Sequence, residues 1–180
     1  MRSLLKKLFY SVIAGGAYFL IIRFLSPRPA ESTFYFSYAQ PFMVFLSIVV
    51  DPIVGGLGFA LGEYLAMIGG NNIDGFFLFC CFLNGAGIGL FFSPNDLRQG
   101  FFSKKDIIQF NSIQLLSNFI VWSFFYPLYL RMFKGTDFVS MHVMGLRYAL
   151  GFSISCLVAG SLFLAIYAQS RFSEANFYRS

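Results

Sequence analysis

Three amides and an indole stand at helical intervals in the second half of the chain: Asn111, Gln114, Asn118 and Trp122. Spacings of three and four set them along one helix face. Such a stripe suits recognition rather than bond-making. Amides hydrogen-bond the edge of a flat heterocycle and an indole stacks on it, with little need for charge. The same amides could instead tie helices together, each link worth about 0.6–2 kcal/mol in a membrane. Asn111 lies nearer one end of its helix and reads as such a tie. For Asn118 and Trp122 both readings stay open, as they do for Asn84 in an earlier apolar run.

A second candidate group surrounds one acid. Glu63 and Tyr64 lie within an apolar segment, where a buried carboxylate is costly enough to need a reason. Glu63 could bond a donor on a ligand or pair with Arg147, the pairing being the simpler account. Asn71, Asn72 and Asp74 could close over a ligand, although as good turn formers they need no further role. His142, the only histidine, has no Cys or acid cluster beside it and does not read as a metal ligand. Cys80, Cys81 and Cys156 lie inside apolar runs without metal spacing and read as packing residues. There is no phosphate-cradling glycine loop with Lys, no nucleophile near a His and no acid pair at useful spacing, so the chain does not read as an enzyme.

The elements that must position these groups are apolar helices. Of 180 residues 57% are hydrophobic and 12% charged, against about a quarter charged in soluble domains. Mean hydropathy is +0.68. The net charge of +5 sits in short clusters between apolar runs, a pattern of membrane orientation rather than of nucleic-acid binding. The organising stretch is Val50 to Gly70, VDPIVGGLGFALGEYLAMIGG. Asp51-Pro52 suits a helix start, and Gly55, Gly56, Gly58 and Gly62 would let neighbouring helices approach closely in a bilayer.

Six spans follow, at about 8–25, 34–50, 52–70, 76–92, 107–130 and 144–168, in one all-α membrane domain over 1–180. Each reaches or approaches the ~20 residues needed to cross ~30 Å of hydrocarbon. The first lacks a small-residue cleavage site before Pro27 and reads as a retained helix, and Pro41 is expected to kink the second. With six spans both termini share a side. That side collects eight Lys and Arg against five, which favours cytoplasmic termini.

The segments DPIVGGLGFALGEY, FFSKKDIIQFNSIQLLSNFIVW and LAIYAQSR, in order and over nearly the whole chain, resemble the substrate-binding (S) components of energy-coupling factor (ECF) vitamin transporters, riboflavin-type subgroup. The most specific part is Lys105-Asp106-Ile107 followed by Phe110-Asn111, Gln114, Asn118 and Trp122. The resemblance implies a six-helix cell-membrane protein that binds a vitamin and docks on a transmembrane coupling subunit driven by two ATPases. ATP is then used by the partners, and this chain binds no cofactor of its own. The residues read above, Glu63, Tyr64, Asn71, Asn84, Asn118 and Trp122, are expected to line the ligand site together with Tyr38 and Gln40, which lie near the first outer loop, a loop that in the resembling family helps to form the lid. The resemblance also implies that small residues of the first helix, Ser11, Ala14 and Gly15, meet the coupling subunit. From the residues alone their pattern permits close packing without naming the neighbour.

Departures from the subgroup fall at Asp51, Glu63, the Tyr126–Leu130 segment, Met144 and Phe152, all in regions that shape the pocket. Candidate substrates are a hydroxymethylpyrimidine thiamine precursor, riboflavin and a vitamin B6 form. The rival reading is a non-transport scaffold like the small multi-span subunits of the cell-shape machinery, which share a glycine-rich third helix followed by an acid.

Overall fold

The computed structural model describes residues 2–25, 37, 39–68, 73–92, 97 and 99–177. Six helices run through them, with no strand among the described residues: α1 Arg2–Leu25, α2 Gln40–Val49, α3 Pro52–Met67, α4 Gly75–Phe91, α5 Lys104–Lys134 and α6 over 138–177. The molecule is an all-α membrane bundle. On length and composition α1, α5 and α6 can each cross a bilayer, whereas α2, α3 and α4 are shorter apolar helices.

Local chemistry sets the helix ends. Asp51 accepts from the Ile53 N–H at 2.9 Å, and Asp74 accepts from Phe76 and Phe77 at 3.0 and 3.1 Å. Each carboxylate satisfies N–H groups that a first turn leaves unpaired. A reciprocal Ser103–Asp106 capping box starts α5 at Lys104, three residues before the apolar run, and Gly135 ends it in the left-handed region at φ 64°. Asp137 caps α6 through the Ser140 N–H, moving its start ahead of the expected Met144. Bonds from the Ser140 hydroxyl and N–H hold the Asp137 carboxyl below the usual carboxylate range.

Pro41 does not kink a longer span. It stands in the first turn of α2, where its missing N–H costs nothing. That helix has only 10 residues, about 15 Å, and is enclosed by α1, α3, α4 and α6.

The glycines seam the first four helices. A Cβ on Gly55 or Gly89 would collide with Ser47 of α2, one on Gly62 with the Tyr18 ring, and one on Gly58 would meet Ala14 at 3.0 Å. Gly85 lies equally close to the backbone of Gly55 and Gly56 and accepts a 2.7 Å bond from the Ser47 hydroxyl through its carbonyl. Lys7 pairs with Asp51 at 2.7 Å, joining α1 to the α2–α3 corner.

The second half is built differently. Within α5, Phe119–Phe125 winds as a π-helix, and within α6 Cys156–Gly160 does the same. Such turns interrupt the i→i−4 ladder and recur at functional sites. Between α5 and α6 the approach is close enough that a Cβ on Gly145 would strike the Trp122 carbonyl.

Candidate functional site

At the centre of the bundle the side-chain amides meet. Gln40, the first residue of α2, is held by a 3.1 Å bond from its N–H to the Ser37 hydroxyl. Its Nε2 donates to Asn84 Oδ1 at 2.9 Å and Asn118 Oδ1 at 3.0 Å. Asn84 Nδ2 donates to the same Asn118 oxygen at 3.1 Å and to Ser117 Oγ at 3.4 Å. Asn118 Nδ2 passes the chain to Gln114 Oε1 at 3.0 Å, and Gln114 Nε2 ends it on the Ser153 carbonyl at 3.3 Å. Four helices (α2, α4, α5 and α6) therefore meet in one buried polar layer. Asn111, by contrast, donates to Ser161 Oγ at 3.2 Å, tying α5 to α6 as its position suggested.

The layer is satisfied inwardly but not completely. Gln40, Asn84, Gln114 and Asn118 are all 0% exposed. Turning the Gln40 amide over would set its oxygen against two others, so the network itself fixes Oε1 as the atom left without a partner. Four further buried groups are likewise unpartnered among the described residues, the Trp122 indole N–H and the Ser153 hydroxyl among them, with Asn111 Oδ1 and the Ser123 hydroxyl. At Gln40, Trp122 and Ser153 one acceptor, one donor and one hydroxyl are thus spare where each unmade bond is expensive.

Next to this layer stands a box of rings. Trp122, one turn beyond Asn118 in the π segment, is fully buried, with Phe77 at 5.1 Å, Phe152 at 5.3 Å, Tyr126 at 5.8 Å and Tyr148 at 5.3 Å, tilted 31° from parallel. From Phe152 the rings continue through Phe59 at 6.3 Å to Tyr18, a further 5.2 Å on. An acid stands at each side. The Tyr18 hydroxyl donates to Glu63 Oε1 at 2.6 Å, and the Tyr126 hydroxyl to Asp74 Oδ2 at 3.4 Å. The arrangement can grip a planar molecule by its faces and its hydrogen-bonding edge; it offers no nucleophile–base pair.

The structure brings some of the sequence-predicted residues together and sets others apart. Gln40, Asn84 and Asn118 come together in one layer and Trp122 stands beside it. Glu63 is half-buried, and the partner seen is Tyr18 of α1, not Arg147, whose side chain is exposed. Tyr64, its neighbour, is 38% exposed and turned away from the box, since consecutive residues lie about 100° apart on a helix. Tyr38 and Asn71 lie outside the described residues. Ser11, Ala14 and Gly15 are not on an outer face. Ser11 and Ala14 are 3% and 4% exposed, and Gly15 sits against Leu61 of α3, so this small stripe is used within the chain. The outward positions of α1 are Phe9, Val12, Ile13 and Leu20, beside Gly16, which has open space at its Cβ.

Ser153 and the rings Phe77 and Tyr148 were not singled out, and Tyr126 and Phe152 were noted only as departures in regions that shape the pocket. A signal existed in the i, i+4 pairs Trp122/Tyr126 and Tyr148/Phe152, but 21% of the chain is aromatic and the pairs do not stand out from that background. His142 is exposed and its ring nitrogen lies 2.9 Å from the Phe138 carbonyl.

The chain matches the model of a family described as ECF-type riboflavin transporter, S component, over residues 5–169. It belongs to that family. As an S component it is a substrate-binding subunit of an ECF transporter and not an enzyme, which sets aside the cell-envelope scaffold reading. Among its relatives are a UPF0397 protein of Lactobacillus acidophilus, 27% identical over 176 residues (95% of this chain, 93% of the relative), and one of Streptococcus pneumoniae, 31% identical over 160 residues (86% and 85%). A Lactobacillus johnsonii UPF0397 protein is 26% identical over 171 residues, covering 93% and 91%. No solved structure matches the chain.

Proposed function

We propose that this S component captures a vitamin-sized planar heterocycle between the amide layer and the ring box, for inward delivery by an ECF module. The observation that carries the reading is the set of spare buried atoms, Gln40 Oε1, Trp122 Nε1 and Ser153 Oγ, beside stackable rings. A ligand edge offering a donor and an acceptor would complete the bonds the protein leaves unmade. Entry would part the Trp122 and Tyr148 rings. Hydroxymethylpyrimidine, riboflavin and a vitamin B6 form all carry such an edge on a flat ring, and the family description names riboflavin.

In this reading all six helices form one domain in the cell membrane, with both termini cytoplasmic. Tyr38 and Asn71 belong to the loops that cover the ligand, and a transmembrane coupling subunit with two ATPases supplies the energy. The coupling subunit would meet the outward strip of α1 at Val12, Gly16 and Leu20, the small-residue contact shifted from the buried Gly15. Mass spectrometry of small molecules released from detergent-purified protein tests the function. Recovery of one planar heterocycle at near-stoichiometric yield is expected. No such molecule, together with no ATPase subunits co-purifying, would end the proposal. For topology, cysteines placed at Gln99 and Lys134 should label from opposite sides of intact cells, Lys134 from outside.

A further inference from the structure

The amide layer has a direction, and a backbone atom sets it. The Ser153 carbonyl can only accept, and it cannot be turned over as a side-chain amide can. Gln114 must therefore present Nε2 to it, at 3.3 Å, which turns Oε1 toward Asn118. Asn118 answers with Nδ2 at 3.0 Å and so holds its own oxygen toward Gln40 and Asn84. Both lone pairs of that oxygen are taken, by Gln40 Nε2 at 3.0 Å and Asn84 Nδ2 at 3.1 Å. Gln40 Nε2 also bonds Asn84 Oδ1 at 2.9 Å, so its two hydrogens are both spent. What stands at the end of the relay is a bare oxygen, Gln40 Oε1, on a side chain that is 0% exposed.

Reversing Gln40, Asn118 or Gln114 alone sets oxygen against oxygen at the next contact. Reversing Gln40, Asn84 and Asn118 together still leaves Gln114 to be turned, and its oxygen would then face the Ser153 carbonyl. The acceptor at Gln40 is thus inherited from a backbone group three amides away. A ligand carbonyl or ether oxygen brought to it would meet a lone pair with a lone pair, in a place without water to intervene. An N–H or O–H completes the bond instead.

Resting on the importer reading above, we infer that the site reads a hydrogen-bond donor on the edge of its heterocycle through Gln40, and that Gln114 fixes this preference from a distance as a positioning residue. The ligand class is then a planar ring with an amino group or a ring N–H at that edge. Isosteres with an oxygen or an alkylated nitrogen in its place are rejected.

Full-length protein purified in detergent is titrated by calorimetry with 4-amino-5-hydroxymethyl-2-methylpyrimidine, its 4-methylamino form and its 4-methoxy form, and with riboflavin and 3-methylriboflavin. Methylamino and methoxy groups are close in size, but only the first keeps an N–H. At least one parent should bind, and its form without the N–H should bind at least about 100-fold more weakly, because a site built to bond an N–H rejects the analogue that lacks it. If the pyrimidine is the parent that binds, its methylamino form should stay within about tenfold of it. A donor-free form binding as tightly as its parent overturns the inference and leaves the importer reading standing. Binding of neither parent overturns it too, and mass spectrometry of the released molecules then judges the importer reading separately.

Two variants test the relay. Gln114→Leu cuts the link to Ser153 and frees Asn118, Asn84 and Gln40 to turn together, so the margin between parent and donor-free form should shrink to less than about tenfold. Gln114→Glu still offers Asn118 an acceptor and should keep the margin. A purely structural loss would weaken both ligands alike, so an unchanged margin in Gln114→Leu overturns the part given to Gln114. The comparison of parent with donor-free form uses the unmodified protein and decides the preference at Gln40 whether or not the variants fold.

Discussion

The two halves of the bundle solve opposite problems. Across α1 to α4, glycine lies against serine, alanine and backbone at distances no larger side chain tolerates, and the Ser47 hydroxyl is consumed by the Gly85 carbonyl. Across α5 and α6 the contacts are bulky rings, the helices carry π turns, and four of the five buried side-chain atoms without a partner among the described residues are found there. The fifth, on Gln40, touches that half through Asn118. The first half is therefore a close-packed wall, and the second holds most of the buried groups that lack a partner.

Mutations should separate the halves. The largest effect belongs to Gly89→Leu, whose side chain has to displace Ser47 and its backbone; a loss of about 3 kcal/mol or more is expected, read as failure to give a monodisperse peak in detergent. A well-folded variant would mean the seam is softer than its contacts imply. Next comes Asn118→Leu. It strands donors on Gln40 and Asn84 and the acceptor of Gln114, costing about 1–3 kcal/mol in thermal stability together with ligand binding.

At the edge of the wall, Asp51→Ala removes both a helix cap and an ion pair and should cost about 1–2 kcal/mol, whereas Lys7→Ala removes the partly exposed pair alone and should cost less than about 1 kcal/mol. Equal melting shifts for the two would deny the cap its role. The smallest change in stability, within about 1 kcal/mol and of either sign, is expected for Ser153→Ala, which deletes a hydroxyl that bonds nothing in the unliganded chain. Its affinity for the ligand recovered by mass spectrometry, measured by calorimetry, should still fall several-fold. A loss of melting temperature with affinity intact would reverse the division drawn between the halves.

What could be read from the residues alone followed from periodicity. The stripe of Gln114, Asn118 and Trp122 is visible because a helix repeats every 3.6 residues, and the tie at Asn111 follows from its place along that helix. Which distant residues join the stripe is a tertiary matter: Gln40 is 78 positions from Asn118, and no local pattern links them. Glu63 shows the same limit. Burial of an acid demands a partner, and one partner, a phenol, comes from 45 positions away. Small residues in α1 announce close approach without saying to what, and the answer is α3. The π turns have no sequence signature here, so the ring box they help to assemble could not be foreseen.

The shortness of α2 carries a last consequence. A rod of ten residues reaches only about half-way through ~30 Å of hydrocarbon, so an Asp51 end set near one surface, as its pairing with the partly exposed Lys7 suits, would leave the other tip close to the midplane. Gln40 is that tip. In the proposed function, an acceptor left without a partner at that depth raises the free energy of the empty protein, and a visiting molecule would be held partly by the relief its arrival brings.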